Sequence, residues 1–191
     1  MSFPFLELYL RTVLSYVPLT HWALMGVVAL ALAVVLMIWK KVTTYGAICI
    51  YLTIFTVLFL LDTAIVIRFC GIMPHATGIH LGFELDRLLF GTNQARVETL
   101  VNIAVFIPFS LFLSELQFAN QNRIAYRQIW ISTLAAFVLS LIIECLQWVL
   151  KVGYFELTDL ALNTIGGGIG AYLAYVARLS WNKMRKKATV F

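Results

Sequence analysis

The stretch from Arg127 to Leu150, RQIWISTLAAFVLSLIIECLQWVL, has one charged residue inside its ends, Glu144, and is otherwise dominated by apolar side chains. A helix rises 1.5 Å per residue, so a run of this length matches a hydrocarbon core of about 30 Å. In lipid no water can satisfy the backbone, which leaves the helix as the form that such a run takes. Four other runs read the same way: Trp22–Trp39, Tyr45–Ile67, Arg96–Leu116 and Thr158–Ala177. The expected fold is therefore an all-α integral membrane bundle of about five transmembrane helices.

Composition supports this reading. Hydrophobic residues make up 62% of the 191 and charged residues 12%, with a mean hydropathy of +0.91. A soluble domain is nearer half apolar and a quarter charged. The length fits a single membrane domain, residues 1–191. Residues 1–20 mix apolar clusters with Glu7 and Arg11 and end near Pro18, the pattern of an interfacial amphipathic helix. The first long apolar run lacks a basic leader and is too long for a signal-peptide core, so it is expected to be retained.

The net charge of +5 is unevenly placed. With the first loop inside, Lys40, Lys41, Arg123, Arg127, Arg178, Lys183, Arg185, Lys186 and Lys187 lie on the cytoplasmic side. Arg11, Arg68, Arg87, Arg96 and Lys151 lie outside. The bias predicts the N-terminus out and the C-terminus in. The basic stretch 178–191 follows an apolar run directly, so it reads as a cytoplasmic membrane anchor and not as a nucleic-acid surface. Cys49, Cys70 and Cys145 make no disulfide framework and no zinc spacing, and the sequence calls for no cofactor.

Ionisable and amide groups inside a membrane span are costly and mark function by default. Asp62, Asn102, Glu144 and Asn163 each lie five or six residues from the outer end of their span, about 8–9 Å below one surface. Gln147 shares the face of Glu144, Asp159 that of Asn163, and Glu98 that of Asn102. The ligand-binding set read from this layer is Asn102, Glu144, Gln147, Asp159, Asn163, Asp62 and Arg87. Glu144 and Asp159 are the candidates for catalysis, should the site be one. Asp62 could instead pair with Arg68 or another base. Cations for the buried carboxylates would come from Arg68, Arg87, Arg96 or Lys151.

Other signals read as structure. Gly166 and Gly170 form a G-x-x-x-G, and Gly167 with Ala171 repeats it, a pattern for close helix packing in lipid. Pro108 predicts a kink. The loop from Arg68 to Ala95 holds Pro74, His75, His80, Glu84, Asp86 and Arg87, and is long enough to cap the bundle or dip into it. The spacing of its histidines fits no usual metal site. Glu115, near the inner end of its span, is expected to be solvated, and few polar residues are expected deep toward the inner face.

Three segments together resemble a known family. Val101-Asn102-Ile103-Ala104-Val105-Phe106-Ile107-Pro108-Phe109 resembles the N-x-x-x-F-x-P-F/G segment of the VanZ-like membrane proteins. Ile143-Glu144-Cys145-Leu146-Gln147 resembles their E-x-x-Q, and Asp159-Leu160-Ala161-Leu162-Asn163-Thr164-Ile165-Gly166-Gly167 their D-x-x-x-N-x-x-G. The order and spacing agree over roughly residues 85–175. Where the family often has an arginine near Gly153, this chain offers Lys151. Ahead of span three, Arg87-Leu88-Leu89-Phe90 keeps only the arginine of the family's pattern.

The resemblance implies a small multi-pass protein of the bacterial plasma membrane. The family's namesake is tied to low-level resistance to the glycopeptide teicoplanin. The partners this suggests are membrane lipid and a lipid-linked envelope precursor or a glycopeptide antibiotic, bound at an outward-facing polar site. An intramembrane enzyme is the alternative, with Glu144 and Asp159 as base and acid or as holders of a divalent metal with Asn163 and Gln147. A transporter ranks below both, because a layer near one face is not a midplane site.

Overall fold

The computed structural model describes residues 17–40, 42–71, 76–82, 92–120 and 126–188, without the side chains of 40, 93–95, 118–120 and 185–188. Most of the amphipathic N-terminal segment, Arg87, His75, Glu84, Asp86 and the side chains of the last basic cluster lie outside the described residues. Among the described residues, five helices are long and apolar enough to cross a membrane. They are α1 (Leu19–Lys40), α2 (Thr44–Phe69), α3 (Asn93–Asn120), α4 (Tyr126–Val149) and α5 (Leu157–Ala188). This is the expected multi-pass helical membrane fold, and each span falls within a few residues of its predicted bounds. The largest difference is α5, which stays helical well past Ala177.

Local chemistry sets the helix ends. The Thr43 hydroxyl accepts the Gly46 N–H at 3.2 Å and caps α2. Hydroxyls within the spans bond back to the preceding turn: Thr53 to Cys49 O, Thr56 to Leu52 O, Thr133 to Ile129 O and Thr164 to Leu160 O. Such bonds satisfy a hydroxyl that lipid cannot. Helix α3 continues through Pro108. Helix α2 changes character near its end. Asp62–Val66 forms a π-helical turn before the final α-turn Ile67–Phe69.

Helix α5 packs against both α3 and α4, while α2 packs on α3 and α1 packs on α2. Leu60, Phe106, Phe109, Ala136 and Ile143 form the buried apolar centre between α2, α3 and α4. The α3–α5 seam is much tighter. A Cβ at Gly166 would stand 2.0 Å from Ile103 O, and one at Gly170 would stand 2.1 Å from Ile107 O. Of the other small pair, a Gly167 Cβ would meet Ala136 Cβ of α4 at 2.3 Å and Ser110 Oγ of α3 at 3.0 Å, and Ala171 is fully buried. Backbones thus touch where the glycine spacing predicted packing. Peripheral α1 is held by the Trp22 ring, 5.1 Å from Phe59, and carries an exposed apolar face as a lipid-facing helix does.

Two expectations are corrected. Glu115 is buried, not solvated: Arg178 Nε and Nη2 lie 2.8 and 2.7 Å from its Oε2, and the Tyr45 hydroxyl donates to the same oxygen. The end of α5 swings Arg178 inward because a carboxylate in that setting requires a cation. Nor is the half of the bundle away from Glu144 poor in polar groups. Ser110, Ser114 and Ser132 are buried, and Ser114 and Gln117 both donate to the Ser132 hydroxyl, at 2.7 and 3.1 Å.

A small parallel β-pair was not anticipated. Gly78–His80 (β1), in the long loop, pairs with Tyr154–Glu156 (β2), between α4 and α5. Thr158 also donates to Gly82 O at 3.2 Å. The described part of that loop therefore lies across the α4–α5 connection and caps this end of the bundle, hereafter the site end.

Candidate functional site

The site is built on the last two turns of α4 and the hairpin that returns into α5. Glu144 and Gln147, one helical turn apart, are 3% and 7% exposed. Beyond Val149 the chain reverses through Lys151, whose φ of 55° places it in the left-handed region. That reversal brings β2 back over α4, and the Glu156 N–H donates to Glu144 Oε2 at 2.9 Å. The carboxylate is thus anchored by the backbone of its own return strand. Among the described residues, Asp159, Glu156 and Arg68 are charged groups within electrostatic reach of Glu144.

Gln147 ties α4 to the π-helical turn: its Nε2 donates to Ala64 O at 3.1 Å. A π turn inserts one extra residue and turns the rest of the helix about its axis. Arg68, one turn beyond Ala64, then points at the hairpin. A Cβ on Gly153 would stand 3.0 Å from Arg68 Nη1 and 3.2 Å from Gln147 Cβ. The absent side chain of Gly153 leaves the room that the guanidinium occupies. Lys151 is exposed, whereas Arg68 of α2 lies within electrostatic reach of Glu144. Arg68 Nε is buried and has no hydrogen-bond partner.

Asn163, one turn below Asp159 on α5, is 7% exposed. Its Nδ2 donates to Ser140 Oγ at 2.9 Å, and its Oδ1 is buried without a hydrogen-bond partner. The structure therefore gathers Glu144, Gln147, Asp159 and Asn163 at one end, with Arg68 and Glu156 added.

The other three predicted members stand apart. Asn102 is half-buried on α3 and makes no hydrogen bond to those four. Asp62 turns to α1, where its Oδ1 lies 2.9 Å from His21 Nδ1, so of the two partners expected, Arg68 or another base, it takes the second. Arg87 lies outside the described residues. Among the described residues no three His, Cys, Asp or Glu side chains converge as metal ligands. The sequence signal for Arg68 was its place among four cations near this surface; the signal for Glu156 was a lone acid between two turns, too weak to single out.

The VanZ/LLP1 family model matches residues 26–178, most of the chain and the whole of the site. Protein VanZ of Enterococcus faecium is 31% identical over 88 residues, which cover 46% of this chain and 50% of that protein. The chain thus spans about half the length of the curated relative it matches. No solved structure matches. With five apolar helices and a family match over this extent, the chain belongs to the VanZ/LLP1 family of multi-pass membrane proteins.

Proposed function

We propose that the site end faces the outside of a bacterial plasma membrane and recognises the polar head of a lipid-anchored envelope molecule. A lipid-linked precursor or a lipid-tailed glycopeptide has the required chemistry. One observation supports this above the rest: a buried carboxylate, two buried amides and a guanidinium with an open donor gather at one end of the bundle, within about 10 Å along α4. Carboxylates and the Asn163 Oδ1 accept from hydroxyl or amide donors, and Arg68 donates to an acceptor oxygen. The capping loop and the π turn hold these groups in place before binding, which lowers the ordering cost.

The test uses cells that carry equal membrane levels of the wild type or of Glu144→Ala/Asp159→Ala. They are challenged with teicoplanin, which has a fatty tail, and vancomycin, which has none. The expected result is protection against teicoplanin alone, lost in the double variant. Equal sensitivity of both strains to both drugs contradicts a role in handling lipid-tailed glycopeptides. The nearness of Glu144 to Asp159 and Glu156 also supports a second reading, an intramembrane hydrolase with a carboxylate acid–base pair. Turnover of a lipid substrate that survives Glu144→Gln rules that reading out.

A further inference from the structure

The π turn of α2 is held by two neighbouring helices. Its first residue, Asp62, meets α1, with Oδ1 2.9 Å from His21 Nδ1. Two residues on, Ala64 O accepts from Gln147 of α4 at 3.1 Å. Successive residues of an α-helix are turned by about 100°, so one extra residue in a turn changes the angle between Asp62 and Arg68 by up to that amount. The turn therefore decides whether Arg68 faces the hairpin while Asp62 faces α1.

A π turn is rare and gives way to the α form unless its surroundings hold it. Gln147 holds the α4 side. On the α1 side, Asp62 is 6% exposed and its Oδ2 is buried with no hydrogen-bond partner, so the bond to His21 is what compensates this carboxylate. That bond is firmly seated. Trp22, the next residue, packs on Phe59 and Phe55 with ring centroids 5.1 and 6.2 Å apart, and the His21 N–H donates to Pro18 O at 2.9 Å. Arg68 is less tied by its own side chain, because its Nε is buried with no hydrogen-bond partner. Its place beside Gly153 and Gln147 is set by the backbone that carries it.

We propose that His21 is a positioning residue for Arg68. Its bond to Asp62 pins the α1 side of the π turn. Without that bond the turn relaxes to an α-helix and carries Arg68 out of the space beside Gly153. Helix α1, which packs on α2 at the edge of the bundle, thus governs the cation of the site. Asp62 acts through Arg68 and does not touch the ligand. The inference rests on the head-recognition reading for the part that Arg68 plays in binding.

The test measures distances between spin labels on the protein in nanodiscs by pulsed electron paramagnetic resonance. One label sits on Cys70, which is exposed and two residues beyond Arg68. The other sits on Val149→Cys of α4 or Leu100→Cys of α3, both exposed positions, with Cys145 replaced by Ser. His21→Leu/Asp62→Leu removes the bond and leaves no unpaired carboxylate behind. A turn of about 100° moves a label ~5 Å from the helix axis by roughly 8 Å, so at least one distance should change by several ångströms. His21→Asn, whose amide nitrogen can take the place of Nδ1, should keep the wild-type distances. Unchanged distances in the double Leu variant overturn the proposal, and so does an equal change in His21→Asn. In the antibiotic challenge, Arg68→Gln and the double Leu variant should lose protection alike. Protection that Arg68→Gln loses and the double Leu variant keeps also overturns it. A wild type that gives no protection counts against the head-recognition reading alone, and the label distances still judge His21.

Discussion

Gly166→Ala and Gly170→Ala are each expected to remove most of the folded protein from the membrane. The added Cβ would stand 2.0 Å from Ile103 O or 2.1 Å from Ile107 O, both backbone atoms of α3. A backbone oxygen inside a helix cannot rotate away, so α5 must retreat by roughly 1 Å along its closest approach. Overpacking of this kind costs about 1–3 kcal/mol, and separating the seam also weakens its Cα–H···O attractions. Both effects fall on the seam that organises the bundle. Gly168→Ala is the internal control. Its Cβ would meet only Thr133 side-chain atoms, at 3.7 and 3.8 Å, ordinary van der Waals distances. The measurement is the thermal midpoint and the monodisperse yield of the three variants in one detergent. A Gly166→Ala protein as stable as Gly168→Ala would contradict the seam.

Arg178→Ala is expected to be the second severe change, and more severe than removal of both partners. Glu115 would keep its burial beside the Tyr45 hydroxyl and be left without its cation. Removal of one partner from a buried pair costs about 3–5 kcal/mol. The Arg178 and Glu115 side chains keep 23% and 11% exposure, so the lower end of that range applies. The guanidinium also lies 4.9 Å from the Tyr45 ring centroid, and the substitution removes this cation–π attraction too. The double variant Glu115→Leu/Arg178→Met removes anion and cation together and should recover much of the stability. A cycle completed with the single variants Glu115→Leu and Arg178→Met and read by thermal unfolding checks this: the double variant should lose far less stability than the sum of the two singles. Additive effects would mean that the pair is exposed and weak.

Much of the fold was legible because each span is a long apolar run whose only home is lipid. Glu144, Gln147, Asp159 and Asn163 were legible for a related reason: a polar group in such a run stands out, and equal depth on neighbouring helices predicts convergence. Depth says nothing of azimuth, and Asp62 shows the consequence. It lies near the same end of its span, yet the π turn points it at His21 on α1 and sends Ala64 and Arg68 toward α4. No residue pattern announces an extra residue in one helical turn. The buried serines were overlooked because serine passes for an ordinary small residue inside a span. The Glu115–Arg178 pair was overlooked because each residue lies near a span end, where solvation is the default. The β-pair joins three-residue strands far apart in sequence, too short for any periodicity.

Recognition of an envelope molecule requires the site end to face outward, and the chain carries its own reporter of sidedness. Cys70 is exposed, two residues beyond Arg68, while Cys49 is buried and Cys145 lies within the α4 span. Intact cells treated with a membrane-impermeant maleimide should label the protein, and Cys70→Ser should abolish the signal. Labelling of Cys70 only after the cells are permeabilised would place the site end in the cytoplasm and contradict recognition of an envelope molecule from outside.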